Sequence, residues 1–329
     1  MYAMVMNRVG GPEVLEWQEL PTPEPGPDEV LIRIAYAGVN PADWKDREGH
    51  LSRYYPYQFP YVIGMDGAGV VEKVGPGVVD YQPGDRVVTC SYHGKGRWGS
   101  YAEYVATPLR TVAQLPAAIG FAEAATIPIA GMTAWQAVHD KGQIQAGQRV
   151  LVHGGSGAVG SFAVQFAKHT GALVAATSSG AKADYVRGLG ADLVIDYKTQ
   201  DIAAALHAWA PGGVDVIVDA VSCGTLPQAF DLLHAGGTLV SIPTLVGDGD
   251  VEADFKAAAE RGLTKVFSVM NDEVAYRDMA AIIELVVAGA VRVPPLDVLP
   301  IQQAGQAHTL VEQGRVTGKI VLKVADISG

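Results

Sequence analysis

The sequence predicts an α/β protein in which a doubly wound parallel sheet is inserted into a lobe of antiparallel strands. A strand, a glycine-rich turn and a helix follow one another over residues 149–171, and strands and helices then alternate to about residue 288. Strand character returns in Lys319–Val324, which predicts that the chain end pairs back into the first lobe. We therefore expect one domain from residues 1–120 with 293–329 and a second from residues 121–292.

Length, composition and charge limit the class of protein. The 329 residues exceed the usual size of one core, and a hydrophobic share of 49% is that of a globular protein. The formal net charge of −11, without a dense cluster of Lys or Arg, argues against a surface for nucleic acid or anionic membrane. Neither a signal segment nor a membrane-spanning run is recognisable, so a cytoplasmic protein is the expectation.

The first part of the chain has the pattern of an antiparallel lobe. Tyr2–Met6 alternates as an edge strand, and Glu29–Ala37 alternates with a period of two. Further strand-like pieces, separated by Gly and Pro turns, are Gly69–Val74, Arg86–Cys90 and Ala102–Ala106. This spacing predicts a partly open β-barrel, which ends where Phe121–His139 becomes helical.

The second domain begins with a glycine-rich turn. Arg149–His153 is a short apolar run typical of a strand buried on both faces, and a helical pattern follows it and ends near Gly171. Between them Gly154, Gly157 and Gly160 have the spacing G-x-x-G-x-x-G, a variant of the dinucleotide-binding fingerprint. Such glycines allow a tight turn, the approach of backbone to a pyrophosphate, and close packing of helix on strand.

The elements that follow complete six strands of a Rossmann domain. Strands are predicted at Leu173–Thr177, Leu193–Asp196, Val214–Asp219, Thr238–Pro243 and Thr264–Met270. Helices are predicted at Lys182–Leu189, Ile202–Ala210, Leu226–Leu233, Val251–Arg261 and Glu273–Ala288, and a last one at Ile301–Gln313.

The end of the second strand favours NADPH as the cofactor. An Asp or Glu about 20 residues past the glycine turn would bind the ribose 2′-hydroxyl of NAD, but Thr177, Ser178 and Ser179 occupy that place. These hydroxyls and the nearby Lys182 can bind a 2′-phosphate, and none of them repels it. The alternative for Lys182 is a solvated lysine at a helix start.

Metal chemistry is not indicated by the cysteines or histidines. Cys90 and Cys223 are the only cysteines, they lie far apart, and neither is part of a pair with ligand spacing. Reduced, structural thiols are expected, and no metal-ligating residue is predicted.

Seven segments spread over the chain resemble the medium-chain dehydrogenase/reductases, specifically the zinc-free, zeta-crystallin-like NADPH:quinone oxidoreductases. The segments are Ala37–Lys45, Gly64–Val71, Pro83–Val87, Gly131–Trp135, His153–Gln165, Gly190–Tyr197 and Gly314–Val321. They stand in the family's order, and together they are specific. The resemblance implies a GroES-like lobe and a homodimer, to which an exposed edge strand near Thr264–Met270 would also contribute. Because ligands commonly lie at domain interfaces and beyond the carboxyl ends of strands, we expect the active site in the cleft between the two domains.

The resemblance also implies roles for individual residues. Asn40 is expected to hydrogen-bond the cofactor or a substrate oxygen, and Thr133 to contact the nicotinamide. Lys45 stands where related quinone reductases often have tyrosine, and it either attracts an electron-rich carbonyl or is a surface lysine. The expected cofactor-binding residues are Gly154, Ser156, Gly157, Ala158, Val159 and Gly160 for the pyrophosphate, and Ser178, Lys182, Tyr197 and Arg315 for the 2′-phosphate. Two of these have simpler alternatives, since Asn40 can begin a turn before Pro41, and Tyr197 can be a packed aromatic.

Departures from the zinc-dependent relatives point to an acceptor that needs no metal. Those relatives have a cysteine and a histidine where this chain has Val39–Asn40–Pro41 and Gly64–Met65–Asp66. A quinone or an α,β-unsaturated carbonyl can take a hydride without a Lewis acid, because the charge spreads over a conjugated oxygen. The alternatives are an enoyl-thioester reductase, disfavoured by Leu51 at a position where a tyrosine is common, and a non-catalytic NADPH-binding protein.

Overall fold

The computed structural model describes residues 1–91, 97–246 and 251–327, without the side chain of Cys223. The chain forms two compact units. The first comprises Met1–Met132, Asn271–Ala288 and Pro295–Gly329, and the second Thr133–Met270 with Gly289–Pro294. This division differs from the predicted one, which grouped residues 121–132 and 271–288 with the parallel sheet and residues 293–294 with the antiparallel lobe.

In chain order, the strands of the described residues are β1 (Tyr2–Met6), β2 (Glu16–Glu19), β3 (Glu29–Val39), β4 (Tyr61–Val62), β5 (Asp66–Val74), β6 (Arg86–Cys90), β7 (Tyr104–Pro108), β8 (Val112–Gln114), β9 (Arg149–His153), β10 (Leu173–Ser178), β11 (Leu193–Asp196), β12 (Val214–Asp219), β13 (Leu233–Ser241), β14 (Thr264–Phe267), β15 (Leu296–Pro300) and β16 (Lys319–Lys323). The α-helices are α1 (Pro41–Arg47), α2 (Phe121–Ala124), α3 (Pro128–Trp135), α4 (Ala158–His169), α5 (Ala183–Gly188), α6 (Ile202–Trp209), α7 (Val251–Glu260), α8 (Ala275–Val287) and α9 (Ala304–Glu312).

The second unit contains the predicted parallel sheet. Its strand order is β11-β10-β9-β12-β13-β14, and every neighbouring pair is parallel. β9 and β12 are buried along most of their length, as expected for strands covered on both faces. The chain order reverses between β9 and β12, and ligands of such sheets bind outside the carboxyl ends of the strands at this point.

The first unit contains two sheets, one of three strands in the order β2-β1-β4 and one of seven. In the larger sheet the order is β15-β16-β3-β5-β6-β8, and β7 pairs with β3. β16 pairs antiparallel with β3, so the prediction that the chain end returns to the first lobe is confirmed. The prediction of an edge strand at Tyr2–Met6 was wrong, because β1 lies between β2 and β4.

Two predicted helices differ in the structure. The continuous helix expected over Phe121–His139 is broken before Pro128, whose ring is accommodated only in the first turn of a helix, and a π-helical turn over Gln136–Lys141 continues α3. Leu226–Leu233 forms no α-helix but a 3₁₀ turn over Ala229–Leu232 followed directly by β13. Pro227 favours the short turn, because its ring restricts the preceding residue.

Helix α8 belongs to the first unit because it packs on the antiparallel lobe. It contacts β8, and Ile282 on its buried face lies against Gly131, where an added Cβ would be 3.3 Å from the Ile282 side chain. Among the helices of the described residues, none combines the length and the apolar character that crossing a bilayer requires.

Candidate active site

The glycine turn joins β9 to α4 in the second unit. Gly154 has a φ of +85°, a left-handed conformation that favours glycine, and its carbonyl accepts a hydrogen bond from the Gly157 N–H at 3.1 Å. Gly157 is the N-cap residue of α4 and has an extended backbone. The first N–H groups of α4, beginning at Ala158 and Val159, have no acceptor within the helix, so they can bind an anion at the positive end of the helix dipole.

The two later glycines of the turn differ in how much room a side chain would have. A Cβ on Gly160 would lie 2.2 Å from the Gly154 oxygen, so only glycine lets α4 approach the turn this closely. A Cβ on Gly157 would lie 3.5 Å from the same oxygen, which is an ordinary contact. The chain itself therefore tolerates a side chain at 157, and the space beside this glycine fits an approaching pyrophosphate.

Thr177 at the end of β10 supports the turn. Its hydroxyl oxygen accepts the Gly154 N–H at 2.9 Å and lies 2.8 Å from His153 Nδ1. The other ring nitrogen of His153 lies 2.9 Å from the Thr225 hydroxyl. Burial lowers the pKa of His153, with Asp219 opposing the shift, so the ring is a neutral structural group beneath the turn.

Two buried serines lie at the same edge of the sheet and were missed from the sequence. Ser241 ends β13 and Ser268 follows β14, and the backbone N–H of Ser268 donates to the Ser241 carbonyl at 2.9 Å. Within the described part of the chain neither hydroxyl has a hydrogen-bond partner. Orphaned buried hydroxyls beyond the carboxyl ends of these strands fit the polar end of a dinucleotide.

Three of the four residues predicted for the 2′-phosphate come together at the ends of β10 and β11. Ser178 pairs with Asp196 in the sheet, and the N–H of the next residue, Tyr197, donates to the Ser178 carbonyl at 3.2 Å. Lys182 ends the 3₁₀ turn over Gly180–Lys182. The ring of Tyr197 is 51% exposed, whereas Ser178 is buried and its hydroxyl donates to the Ser179 carbonyl at 3.1 Å.

A carboxylate lies beside this group, contrary to the expectation that nothing there would repel a phosphate. A Cβ on Gly180 would be 2.7 Å from Asp196 Oδ2, so the carboxylate lies against the turn that carries Lys182. It accepts hydrogen bonds from the Lys198 N–H at 3.1 Å and the Thr199 hydroxyl at 3.0 Å. The Lys198 N–H in particular lowers the pKa of Asp196. The prediction missed this residue because it considered only the end of β10.

Asn40 lies in the first unit, where its side chain is held by two buried ionic groups. It is the N-cap residue of α1, directly before Pro41, so the simpler expectation for its position is also met. Its Nδ2 donates to Asp66 Oδ2 at 2.9 Å, and Lys319 Nζ donates to its Oδ1 at 2.5 Å. All three side chains are almost completely buried.

A chain of buried hydrogen bonds fixes helix α1 behind Asn40. The Asp43 carboxylate accepts the Asn40 backbone N–H at 2.7 Å and the Tyr101 hydroxyl at 3.2 Å. Tyr101 lies 3.1 Å from His308 Nε2, and Arg47 Nη1 lies 3.4 Å from His308 Nδ1. Since arginine can only donate, Nδ1 is the accepting nitrogen and Nε2–H donates to Tyr101. Burial, followed by the charge of Arg47, lowers the pKa of His308 to about 3.

The remaining predicted residues are placed separately. Lys45 is half-buried on α1, with Nζ 5.3 Å from the centre of the Trp44 ring. Thr133 is buried in α3 and belongs to the second unit, whereas Arg315 is exposed and belongs to the first. Arg315 therefore lies in a different unit from Lys182 and Tyr197, the other residues predicted to bind the 2′-phosphate.

The tyrosines that follow Leu51 differ in their surroundings. Tyr54 is 55% exposed and stacks on Arg53, whose guanidinium carbon lies 4.9 Å from the ring centre. Burial, followed by the charge of Asp46, raises the pKa of Tyr55, which makes its hydroxyl a weaker acid than a free phenol. Leu51 itself is buried.

The residues at the positions of zinc ligands do not fit a zinc ion. Zinc sites need thiolate, imidazole or carboxylate ligands, but Asn40 stands at the position of the cysteine and Met65 at that of the histidine. The neighbouring carboxylate of Asp66 already binds the ammonium of Lys319 at 2.7 Å. Burial, followed by the charge of Asp66, raises the pKa of the nearby Cys90, which keeps its thiol neutral. Over residues 1–91, 97–246 and 251–327, no three His, Cys, Asp or Glu side chains are grouped so as to hold a metal ion.

Two segments of the chain match family models of dehydrogenases. Residues 26–117 match the family described as Alcohol dehydrogenase GroES-like domain, and residues 189–322 match the one described as Zinc-binding dehydrogenase. An NADPH-dependent alkenal/one oxidoreductase of Arabidopsis thaliana is 34% identical over 98% of this chain and 79% of its own length.

Solved structures agree with this assignment. The quinone oxidoreductase of Coxiella burnetii has a TM-score of 0.86 and 30% identity, with 99% of each chain covered. A structure described as an NAD-dependent alcohol dehydrogenase has a TM-score of 0.89 and 35% identity, covering 99% of this chain and 100% of its own. The chain therefore belongs to the medium-chain dehydrogenase/reductase superfamily, in its zinc-free quinone oxidoreductase branch, and is an oxidoreductase with the NAD(P)-binding dehydrogenase fold.

Proposed function

We propose that the protein transfers a hydride from NADPH to a quinone or an α,β-unsaturated carbonyl without zinc. The observation that carries the proposal is the buried group around Asn40, in which the ammonium of Lys319 binds Asn40, at the position of a zinc-ligating cysteine, and Asp66, directly after Met65 at the position of the histidine. A conjugated acceptor is the substrate class that such a site can serve, because its developing charge is stabilised by hydrogen bonds alone.

The chain's own residues bind and orient the reactants in this proposal. The N–H groups after Gly157 hold the pyrophosphate, and Lys182 with Tyr197 holds the 2′-phosphate. Asn40 donates a hydrogen bond to the oxygen on which negative charge develops, Thr133 contacts the nicotinamide, and Lys45 attracts the acceptor carbonyl. NADPH, when bound, would supply the hydride.

The proposal is tested by oxidation of NADPH, followed by its absorbance, with 1,4-benzoquinone, 9,10-phenanthrenequinone and a short alkenal as acceptors. We expect turnover with at least one of them. Complete inactivity on all three contradicts the proposal. Activity restricted to an enoyl thioester would favour an enoyl-thioester reductase, and tight NADPH binding without any hydride loss would favour a non-catalytic binding protein.

The cofactor preference is tested by Lys182→Ala. We expect the KM for NADPH to rise about tenfold and the KM for NADH to change less than about twofold, because a charge-assisted bond to phosphate is lost only with NADPH. Lys256→Ala, on the exposed side of α7, is the matched control and should change neither value. An equal loss for both cofactors would refute the 2′-phosphate role of Lys182. The test is informative because the carboxylate of Asp196, which would repel a phosphate, lies against the turn that carries Lys182.

We also propose that the protein is a homodimer. β14 is an edge strand of the parallel sheet, paired only with β13 among the described residues, and unpaired edges of this kind are usually covered. Light scattering of the purified protein should give twice the 34.5 kDa mass of one chain. A concentration-independent mass of 34.5 kDa would exclude the dimer.

A further inference from the structure

Three buried polar residues meet where three neighbouring strands of the first unit end. Lys319 begins β16, Asp66 begins β5, and Asn40 follows the last residue of β3, which lies between those two strands. The strand register brings them together, since Val39 pairs with Ile320 and Gly38 pairs with Asp66. The group is thus fixed by the sheet and not by a loop.

The hydrogen bonds around Asn40 determine which way its amide faces. An amide oxygen and nitrogen are hard to distinguish by shape, but an ammonium group can only donate and a carboxylate can only accept. The atom that faces Lys319 must therefore be Oδ1, and the atom that faces Asp66 must be Nδ2. One of the two Nδ2–H donors is then used by Asp66, and the other has no acceptor among the residues the structure describes.

The Asp66 carboxylate is itself held at both oxygens. Oδ2 accepts from Lys319 Nζ at 2.7 Å, and Oδ1 accepts the backbone N–H of Ile129 at 2.8 Å, in the first turn of α3. A Cβ on Gly38 would lie 2.7 Å from Asp66 Oδ2 and 2.3 Å from the Ala125 carbonyl oxygen. Only glycine at position 38 leaves room for this carboxylate, so a side chain there would displace Asp66 from its ion pair with Lys319.

We propose that Lys319 and Asp66 are positioning residues for Asn40. The ammonium holds the amide oxygen and the carboxylate holds one N–H, which leaves the second N–H as the single donor that Asn40 can offer to the acceptor oxygen or to the nicotinamide amide. Loss of Lys319 frees the amide to rotate and leaves the carboxylate without its buried counter-ion. The role of this donor in the reaction rests on the proposed function. The orientation of the Asn40 amide does not depend on it.

The orientation is tested directly by NMR, without any assay of activity. The chain contains only three asparagines, Asn7, Asn40 and Asn271, so selective ¹⁵N labelling of asparagine gives three pairs of side-chain signals. Asn7 and Asn271 are exposed, and Asn40→Asp identifies the buried pair. We expect the Asn40 amide protons of Lys319→Met to exchange with solvent at least about tenfold faster than those of the wild type. Lys323→Met, at the exposed end of the same strand, is the matched control and should leave them unchanged.

The consequence for the reaction is tested by a double-mutant cycle. Lys319→Met is expected to lower kcat at least about tenfold and to change the KM for NADPH less than about twofold. In the Asn40→Ala background the same substitution should lower kcat by less than about twofold, because there is no amide left to position. A purely structural lysine would reduce activity by equal factors in both backgrounds.

The outcomes separate this inference from the proposed function. Equal factors in the cycle, or unchanged Asn40 exchange in Lys319→Met, overturn the positioning role even if the wild type is an active reductase. A wild type inactive on every acceptor refutes the proposed function, and the exchange measurement still decides the positioning. If Lys319→Met does not fold, Asp66→Asn/Lys319→Met removes both charges together, and the same faster exchange is expected from it.

Discussion

Gly157→Ala is expected to lower the affinity for NADPH about 100-fold while leaving the protein folded, an effect of roughly 2.7 kcal/mol on binding. The new Cβ would lie 3.5 Å from the Gly154 oxygen, so the chain accommodates it. In the proposed mode of binding, the methyl group instead occupies the side from which the pyrophosphate approaches the first N–H groups of α4. Titration of NADPH fluorescence measures the affinity, and the melting temperature measures the fold.

Gly160→Ala is the contrasting variant in the same turn. Its Cβ would lie 2.2 Å from the Gly154 oxygen and 2.8 Å from the Gly154 carbonyl carbon, so the backbone must shift. We expect this variant to lose about 1–3 kcal/mol of stability together with its affinity. If Gly157→Ala binds NADPH as the wild type does, the pyrophosphate does not lie at this turn.

Acid is expected to destabilise the first unit through His308. The pKa of His308 is about 3 in the folded protein because the ring is buried beside Arg47, and it returns to an ordinary value of about 6.5 on unfolding. Between these values only the unfolded chain binds the proton, so the free energy of unfolding falls as the pH falls. The loss approaches about 1.4 kcal/mol per pH unit below pH 6.5, and it amounts to about 2.5 kcal/mol between pH 7 and pH 4.5.

Urea unfolding of His308→Gln at pH 7 and pH 4.5 isolates this contribution. Glutamine can still accept from Arg47 and donate to Tyr101, but it does not titrate. The variant should therefore lose about 2.5 kcal/mol less than the wild type between the two pH values. His169→Gln, on the exposed face of α4, should behave as the wild type does. Equal losses in His308→Gln and the wild type would show that His308 is protonated in the folded state.

The fold could be predicted for those elements whose hydrophobic periodicity or glycine spacing lies within one short stretch of the sequence. β9, the turn and α4 follow from a buried apolar run, positive-φ glycines and helical spacing, and β12 was predicted to the residue. Leu226–Leu233 was wrong because its apolar spacing suits a helix equally well until Pro227 and the pairing of β13 are considered. The short strands β2, β4, β8 and β15 were missed because each depends on partners that are distant in sequence.

The candidate site was predictable only in part, for the same reason. The glycine turn and Lys182 lie in motifs that can be read locally, and Asn40 was named from resemblance. Lys319 and Asp66 are 253 residues apart, and no spacing rule connects them. His308 and the two buried serines are equally invisible in the sequence, because their chemistry depends on burial and on neighbours that only the fold provides.

The pairing of β16 with β3 has a consequence for the order in which the protein is made. A ribosome completes residues 133–270, the parallel sheet, well before it reaches Lys319–Lys323. The seven-stranded sheet is therefore incomplete until Lys319–Lys323 have been synthesised, although its strand β3 begins at Glu29. Until those residues emerge, Asp66 lacks the ammonium of Lys319, so the proposed reaction centre is completed only after the parallel sheet has been synthesised.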